Sequence, residues 1–373
     1  MNRRRCLTAI TSLLAVGAGL PAVAHGADGG PDAAPAGRAL WQAWKEAHLA
    51  EDGRVIDRLQ DDASHSEGQG YGLLLATYFG DEDAFRRIHA WTEANLAVRE
   101  DRLLAWRWQP MSAPHVPDIN NASDGDLFYA WGLMRGARAF GDGVHFVRAG
   151  GIVEDLAAHC VVPSPEDPQA RLLLPAAEGF RHPLEPGGDG NVGDGESIIV
   201  NPSYYMPLAM RELSAATGHA DLAAVAADGE RLLTRIALDG LVPDWVRVIP
   251  SGWQIAADMS ENAGYEAMRV PLFLAWSGLV NHPAVARAAR AYARGVESGG
   301  RAPTVMEVAT GEALEYSPDP GYRALAALVA CTDSARMGAP IPPFTTRQPY
   351  YPATLHLFAM IAATETLQGC APL

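Results

Sequence analysis

The chain is poor in cysteine, in basic charge and in recognisable strands. Four cysteines are scattered over 373 residues, with no CxxC pair and no Cys/His spacing that would make a metal site. Cys6 falls in an N-terminal leader. That leaves Cys160, Cys331 and Cys370, so at most one disulfide can form and stability must come from a core. Lys and Arg number 29 against 44 Asp and Glu, a net charge of −15. That balance argues against nucleic acid and anionic membranes as partners, and is compatible with a neutral polymer. No stretch after the leader is long and apolar enough to span a bilayer, and no fixed repeat period marks a solenoid.

Residues 1–24 read as a secretory signal. Arg3, Arg4 and Arg5 precede an apolar run from about Leu7 to Leu20, and Ala22-Val23-Ala24 forms a small-residue cleavage site. The arginines with Cys6-Leu7 loosely resemble a twin-arginine signal, so the export route stays open. The expectation is an exported protein, periplasmic or secreted, not inserted in a membrane once the signal is removed. Its mature net charge is near −18, since the leader carries three basic and no acidic residues. Residues 25–38, rich in Gly, Ala, Pro and Asp, read as a flexible leader, and 39–373 as a single domain. With 48% hydrophobic residues this length supplies one large core.

Helical patterns dominate the rest of the chain. A short helix from Ala39 carries Leu40, Trp41 and Trp44. One beginning near Ser66 ends at Gly80, with its partner at 82–97. Further helices fall at about 125–140, 150–160, 202–217, 219–237, 263–280, 283–297, 319–332 and 352–367, several opening on Pro or Asp and stopping at Gly. The best strand signal is Val242 to Ile255, broken by Pro250-Ser251-Gly252 as in a hairpin. Residues 161–200 read as a long Pro/Gly/Asp-rich loop region. Successive antiparallel helix pairs point to a closed helical toroid.

Chemistry concentrates in four stretches. In Ser66-Glu67-Gly68-Gln69-Gly70-Tyr71-Gly72 a carboxylate heads a helix whose Tyr71, Leu74, Leu75 and Tyr78 form an apolar stripe, with Ser66 as N-cap. Three glycines here cost roughly 1 kcal/mol each against Ala. The expected return is bare backbone on which a bulky ligand lies close to Glu67; a solvated capping Glu is the plainer alternative. In Ser123-Asp124-Gly125-Asp126 two carboxylates open another helix, as caps or as ligand contacts. In Tyr265-Glu266-Ala267-Met268-Arg269, Glu266 and Arg269 are neighbours on one helical face. The fourth stretch is aromatic: Trp106 and Trp108, Tyr204 and Tyr205, and Trp245 in Pro243-Asp244-Trp245-Val246-Arg247. Rings stack on sugar faces and Asp and Arg suit sugar hydroxyls, but buried core is the commoner fate of a tryptophan.

Taken in order, Ser-Glu-Gly-Gln-x-Tyr-Gly at 66–72, Trp-Thr-Glu-x-Asn-Leu at 91–96, Ser-Asp-Gly-Asp at 123–126, Asn-Pro-Ser-Tyr at 201–204, Pro-Asp-Trp-Val-Arg at 243–247 and Tyr-x-Ala-x-Arg-Val at 265–270 resemble glycoside hydrolase family 8. The likeness is greatest to its members in bacterial cellulose synthesis. The resemblance implies an all-α (α/α)6 barrel with a small β-hairpin and long loops lining an open cleft. It implies inverting endo-hydrolysis of a β-1,4-glucan (cellulose) chain, with the cellulose synthase export complex as a further partner. It carries Glu67 over as general acid and Asp124 as the residue that binds and helps distort the sugar at the cleavage point. Asp126 goes with the sugar-binding set, Tyr204, Tyr265 and Arg269 with the surroundings of the attacking water, and Trp106 or Trp108 with a stacking position. The chemistry so read needs no metal and no cofactor. One departure stands out: the family pattern has Asp as general base where this chain has Glu266, longer by about 1.5 Å. Asp258 and Glu261 lie upstream as stand-ins. A glucan-binding member weakened by the change, and a member acting on another β-1,4-linked polysaccharide, remain alternative readings.

Overall fold

The computed structural model describes residues 35–184, 195–296, 300–333 and 338–372. The expected secretion signal and most of the expected leader lie outside the described residues. Eleven α-helices occur among those described: α1 Pro35–His48, α2 Ser66–Tyr78, α3 Glu82–Asn95, α4 Ser123–Phe140, α5 Gly143–His159, α6 Pro207–Thr217, α7 Ala220–Asp239, α8 Arg269–Trp276, α9 Pro283–Val296, α10 Pro320–Thr332 and α11 Tyr350–Glu365. Helix α1 begins at Pro35, so residues 35–38 are helical rather than part of a flexible leader. Asp81 and Asp142 cap α3 and α5 through backbone N–H groups, and Gly141 and Gly218 end α4 and α6 in the left-handed conformation that glycine adopts without strain.

The helices form an inner and an outer ring, the (α/α)6 arrangement, and alternate between them up to α10. Helices α2, α4, α6, α8, α10 and α11 follow one another around the inside, and α1, α3, α5, α7 and α9 pack on the outside. The inner helices meet at an aromatic centre in which Tyr71, Phe128, Phe273 and Phe358 bring α2, α4, α8 and α11 together, with Tyr71 edge-on to Phe128 at 4.7 Å and to Phe358 at 4.9 Å. Farther along α4, Arg135 lies over Trp131 and reaches Glu212 and Glu365, and Glu365 accepts from Trp276. A Cys331–Cys370 disulfide ties the end of α10 to the chain beyond α11, and Cys160 is a buried free thiol.

Three features depart from the sequence reading. Helix α2 buries every residue from Gly68 to Thr77, so it is an inner helix surrounded by protein rather than one with a single apolar stripe. Its glycines serve packing, not ligand access. A Cβ on Gly70 would lie 2.8 Å from the Tyr129 backbone, and one on Gly125 of α4 would lie 2.7 Å from the Glu67 backbone nitrogen. Removing those Cβ atoms lets the starts of α2 and α4 touch. The third feature is the hairpin, which is part of a larger sheet. The strands are β1 Ser64–His65, β2 Arg107–Trp108, β3 Val161–Pro163, β4 Arg171–Leu173, β5 Arg181–Pro183, β6 Glu196–Val200, β7 Val246–Ile249, β8 Gly252–Ile255, β9 Ala302–Met306 and β10 Ala313–Ser317. The hairpin is β7–β8, extended by β6 and β5 into a four-stranded antiparallel meander. Four of these strands come from the supposed loop region 161–200. Ile198, Ile199 and Val200 form a β-branched run that pairs with β7.

Candidate active site

The N-termini of α2, α4 and α8 converge, and each brings a charged residue. Arg269, the first residue of α8, is 1% exposed. Its Nη1 donates to Glu67 Oε2 at 2.5 Å, to the Tyr71 hydroxyl at 2.9 Å and to Asp124 Oδ2 at 3.3 Å. Its Nη2 donates to Ser203 Oγ at 2.7 Å and to Glu266 Oε2. One buried guanidinium therefore serves three carboxyls. The Asp124 side chain is nearly sealed at 4% exposure, but those of Glu67 and Glu266 keep 20% and 35%. The two glutamates thus face open space and Asp124 backs them.

One positive charge cannot hold three ionised carboxylates without penalty, so a proton stays in the cluster. Burial pushes Glu67 up to about 8; the Arg269 charge opposes the rise, and the Asp124 and Glu266 charges add to it. Asp124 is raised to about 6, again first by burial. Tyr204 lies beneath the Arg269 guanidinium at 5.7 Å, and burial holds its hydroxyl well above the ordinary range. Glu266 precedes α8 in a turn rather than lying on the helix, but its i, i+3 pairing with Arg269 forms as expected. Its Oε2 also accepts from Asn201 Nδ2 at 3.0 Å and Ser203 Oγ at 3.2 Å.

Arg269 separates the facing oxygens of Glu67 and Glu266 by no more than about 8 Å, the span of two hydrogen bonds and a guanidinium. Glu67 and Glu266 thus stand as two partly exposed carboxyls on either side of one guanidinium.

The other expected residues scatter. Trp106 sits beside the cluster. Its carbonyl accepts from the Ser66 N–H at 3.0 Å, His65 stacks against its ring, and its indole N–H donates to Asp118 at 2.9 Å. Trp108 is boxed in by Trp91, His115 and the Arg54 guanidinium, so it is packing rather than a free platform. Tyr265 is 44% exposed on the rim against Tyr322, away from Arg269.

Asp126 does not face the gap. It is fully buried and accepts from the Leu104 N–H at 2.8 Å and from Asn121 Nδ2 at 2.9 Å, which makes it an anchor for the 103–121 segment, not a sugar ligand. Ser66 is not the N-cap of α2. His65 occupies that position without a side-chain bond, and the Ser66 hydroxyl is buried against α4 without a partner. Asp258 pairs with Arg247 at the surface and Glu261 is exposed, so neither stands in for Glu266.

Sequence reasoning missed Ser203, Asn201 and Tyr351 as members of the site. The first two lie in the quoted Asn-Pro-Ser-Tyr motif. Tyr351, whose hydroxyl donates to the Tyr265 carbonyl at 2.6 Å, carries no local signal.

Comparison with known proteins gives the family. The family model for glycosyl hydrolases family 8 matches residues 31–365. A probable endoglucanase of Novacetimonas hansenii is 31% identical over 344 residues, covering 91% of this chain and 93% of the relative. An endoglucanase of Escherichia coli O157:H7 is 32% identical over 291 residues, covering 74% and 73%. The solved structure of endo-beta-1,4-glucanase CMCax from Acetobacter xylinum superposes with a TM-score of 0.77 at 30% identity, covering 88% of this chain and 98% of that one. Matched by the family model over most of its length and by relatives of this identity and coverage, the chain belongs to glycosyl hydrolases family 8.

Proposed function

We propose that the protein is an endo-β-1,4-glucanase that hydrolyses its substrate with inversion. The observation that carries the reading is the single buried Arg269 bonded to Glu67, Asp124 and Glu266. A glycosidic oxygen leaves poorly until protonated. Glu67, raised to about 8, holds its proton at neutral pH and donates it to the bridging oxygen as the bond to the anomeric carbon breaks. Glu266, ionised, takes a proton from a water that attacks the anomeric carbon from the opposite face. The product is the α-anomer. Inverting chemistry uses carboxyls roughly 6.5–9.5 Å apart, and the ceiling of about 8 Å set by Arg269 is compatible with it. Asp124 holds hydroxyls of the sugar at the cleavage point, and Trp106 offers a ring to the neighbouring unit.

The same reading takes residues 1–24 as an export signal. The enzyme is then periplasmic or secreted, acting on amorphous or nascent glucan during cellulose biosynthesis beside the export complex. Among the described residues no helix is long and apolar enough to cross a membrane. The names of the relatives support the substrate class.

The decisive test is Glu67→Gln. Release of reducing ends from carboxymethyl cellulose falls to background while circular dichroism and Tm report a folded protein. Unchanged activity removes Glu67 from the mechanism. A second reading, a glucan binder with weakened turnover, draws on the occupied state of Glu266 Oε2, which already accepts from Arg269, Asn201 and Ser203.

A further inference from the structure

Helix α8 begins without a cap of its own. Met268, the residue before it, is already helical and makes no side-chain cap bond. The turn ahead of it closes through Met268 N–H to the Gly264 carbonyl at 3.1 Å and Arg269 N–H to the Glu266 carbonyl at 3.1 Å. The first N–H groups of such a turn have no partner within it. Asp244, far upstream in sequence, supplies one. Its Oδ1 accepts from the backbone N–H of Gly264 at 2.8 Å, Glu266 at 3.2 Å and Ala267 at 2.9 Å, and its Oδ2 accepts from Ser260 Oγ at 2.9 Å. Asp244 is 8% exposed, and both its carboxylate oxygens are taken up by these donors.

We infer that Asp244 is a positioning residue: by holding the 264–267 turn it sets where the Glu266 carboxylate lies relative to the attacking water. The inference rests on the reading of Glu266 as general base. Three further observations support it. Asp244 is mounted on the sheet, just before β7, where Val246 pairs with Val200 at the end of β6. The residue after Val200 is Asn201, which donates to the Glu266 carboxylate, so one sheet edge holds both the backbone and the side chain of Glu266. A small cavity of about 20 Å³, lined by apolar groups including Ala267, Met268 and Met306, lies under the turn and offers its N–H groups no polar partner. Gly264 also leaves room for the carboxylate, since a Cβ there would lie 2.8 Å from Asp244 Oδ2.

The test compares the full-length protein with Glu266→Ala, Asp244→Ala, Asp244→Asn and Gly264→Ala on cellopentaose, with and without sodium azide. Azide replaces the activated water. Its nitrogen bonds to the anomeric carbon as the glycosidic C–O bond breaks, the departing oxygen takes the proton of Glu67, and the product is an α-glycosyl azide. A displacement of about 1 Å costs on the order of 100-fold, so Asp244→Ala loses about that much in kcat. KM stays within about twofold, and azide restores about tenfold of the rate. Asp244→Asn and Gly264→Ala lose about tenfold each, also recovered by azide.

Wild-type kcat in Asp244→Ala overturns the inference. So does a loss that azide fails to recover while Glu266→Ala is recovered. Full activity in Glu266→Ala overturns instead the reading of Glu266 as base. Should Asp244→Ala fail to fold, Asp244→Asn and Gly264→Ala decide by the same readouts.

Discussion

Shortening the proposed base by one methylene is the most informative single change. In Glu266→Asp the carboxylate retracts by about 1.5 Å toward the turn. The bonds from Asn201 Nδ2 and Ser203 Oγ, 3.0 and 3.2 Å in the native protein, stretch beyond hydrogen-bonding reach unless the turn moves, and the Arg269 contact goes with them. The turn is held by Asp244 on one side and by the Tyr351 hydroxyl on the Tyr265 carbonyl on the other, so it does not follow. A displacement of that size costs on the order of 100-fold in rate, roughly 2.7 kcal/mol in the barrier. There is a second signature. Glu266 is one of the charges that raise Glu67, so moving it away makes the Glu67 proton easier to lose. The basic limb of kcat/KM, expected near 8, therefore shifts to lower pH. The assay is the pH profile of reducing-end release from carboxymethyl cellulose together with kcat on cellopentaose. Activity equal to or above the native level in Glu266→Asp refutes the reasoning, and the native protein is then chiefly a glucan binder whose longer side chain has spoiled the site.

Two further outcomes are expected. Glu67, Asp124 and Asp126 are raised by burial to about 8, 6 and 7, so the native state holds protons that the unfolded chain has already released and stability falls as pH climbs through that range. Buried His48, His65, His89 and His356, lowered to about 4, act in the opposite sense and cost stability as pH falls below 6.5. Tm therefore peaks near pH 6.5 and declines by pH 8, and Glu67→Gln removes about 2 kcal/mol of that alkaline loss; identical slopes in the two proteins above pH 7 contradict the assignment. The tryptophans separate by readout. Trp106→Ala raises KM for cello-oligosaccharides about fivefold, for a stacking contact of about 1 kcal/mol, with Tm little changed. Trp108→Ala, which leaves a hole between Trp91, His115 and Arg54, costs about 2 kcal/mol of stability with KM unmoved. The reverse pattern exchanges their roles.

The residues that sequence reasoning found are those whose chemistry is local, and its errors trace to helical phase and to distance along the chain. Glu266 and Arg269 are three apart, and their pairing survives even though the residues ahead of Arg269 form a turn rather than a helix. Asp124 and Asp126 looked alike because both flank one glycine. Residues two positions apart on a helix differ by about 200° around its axis, so if Asp124 faces Arg269 then Asp126 must face away, toward Leu104 and Asn121. The same arithmetic sorts the glycines of α2. Gly68 and Gly72 share a face and meet Tyr350 and Val55, while Gly70 turns toward α4, so together they admit neighbours on two sides and leave none for a ligand. The sheet was hidden by the Pro and Gly around it, and the Ile198–Val200 run reads as a strand only once β7 is known to lie alongside. Asp244 was out of reach of any rule about local capping, because the N–H groups it serves begin 20 residues later in the chain. The Glu266–Arg269 pair can thus be read from residue type and spacing and the proposed roles of Glu67 and Glu266 from the family resemblance, whereas the groups that aim them are recruited from wherever the fold brings a free acceptor. The remedy is to ask of every helix start in a candidate site which side chain takes its first N–H groups. Applied to α8, where no neighbour in sequence does so, the question leads to Asp244.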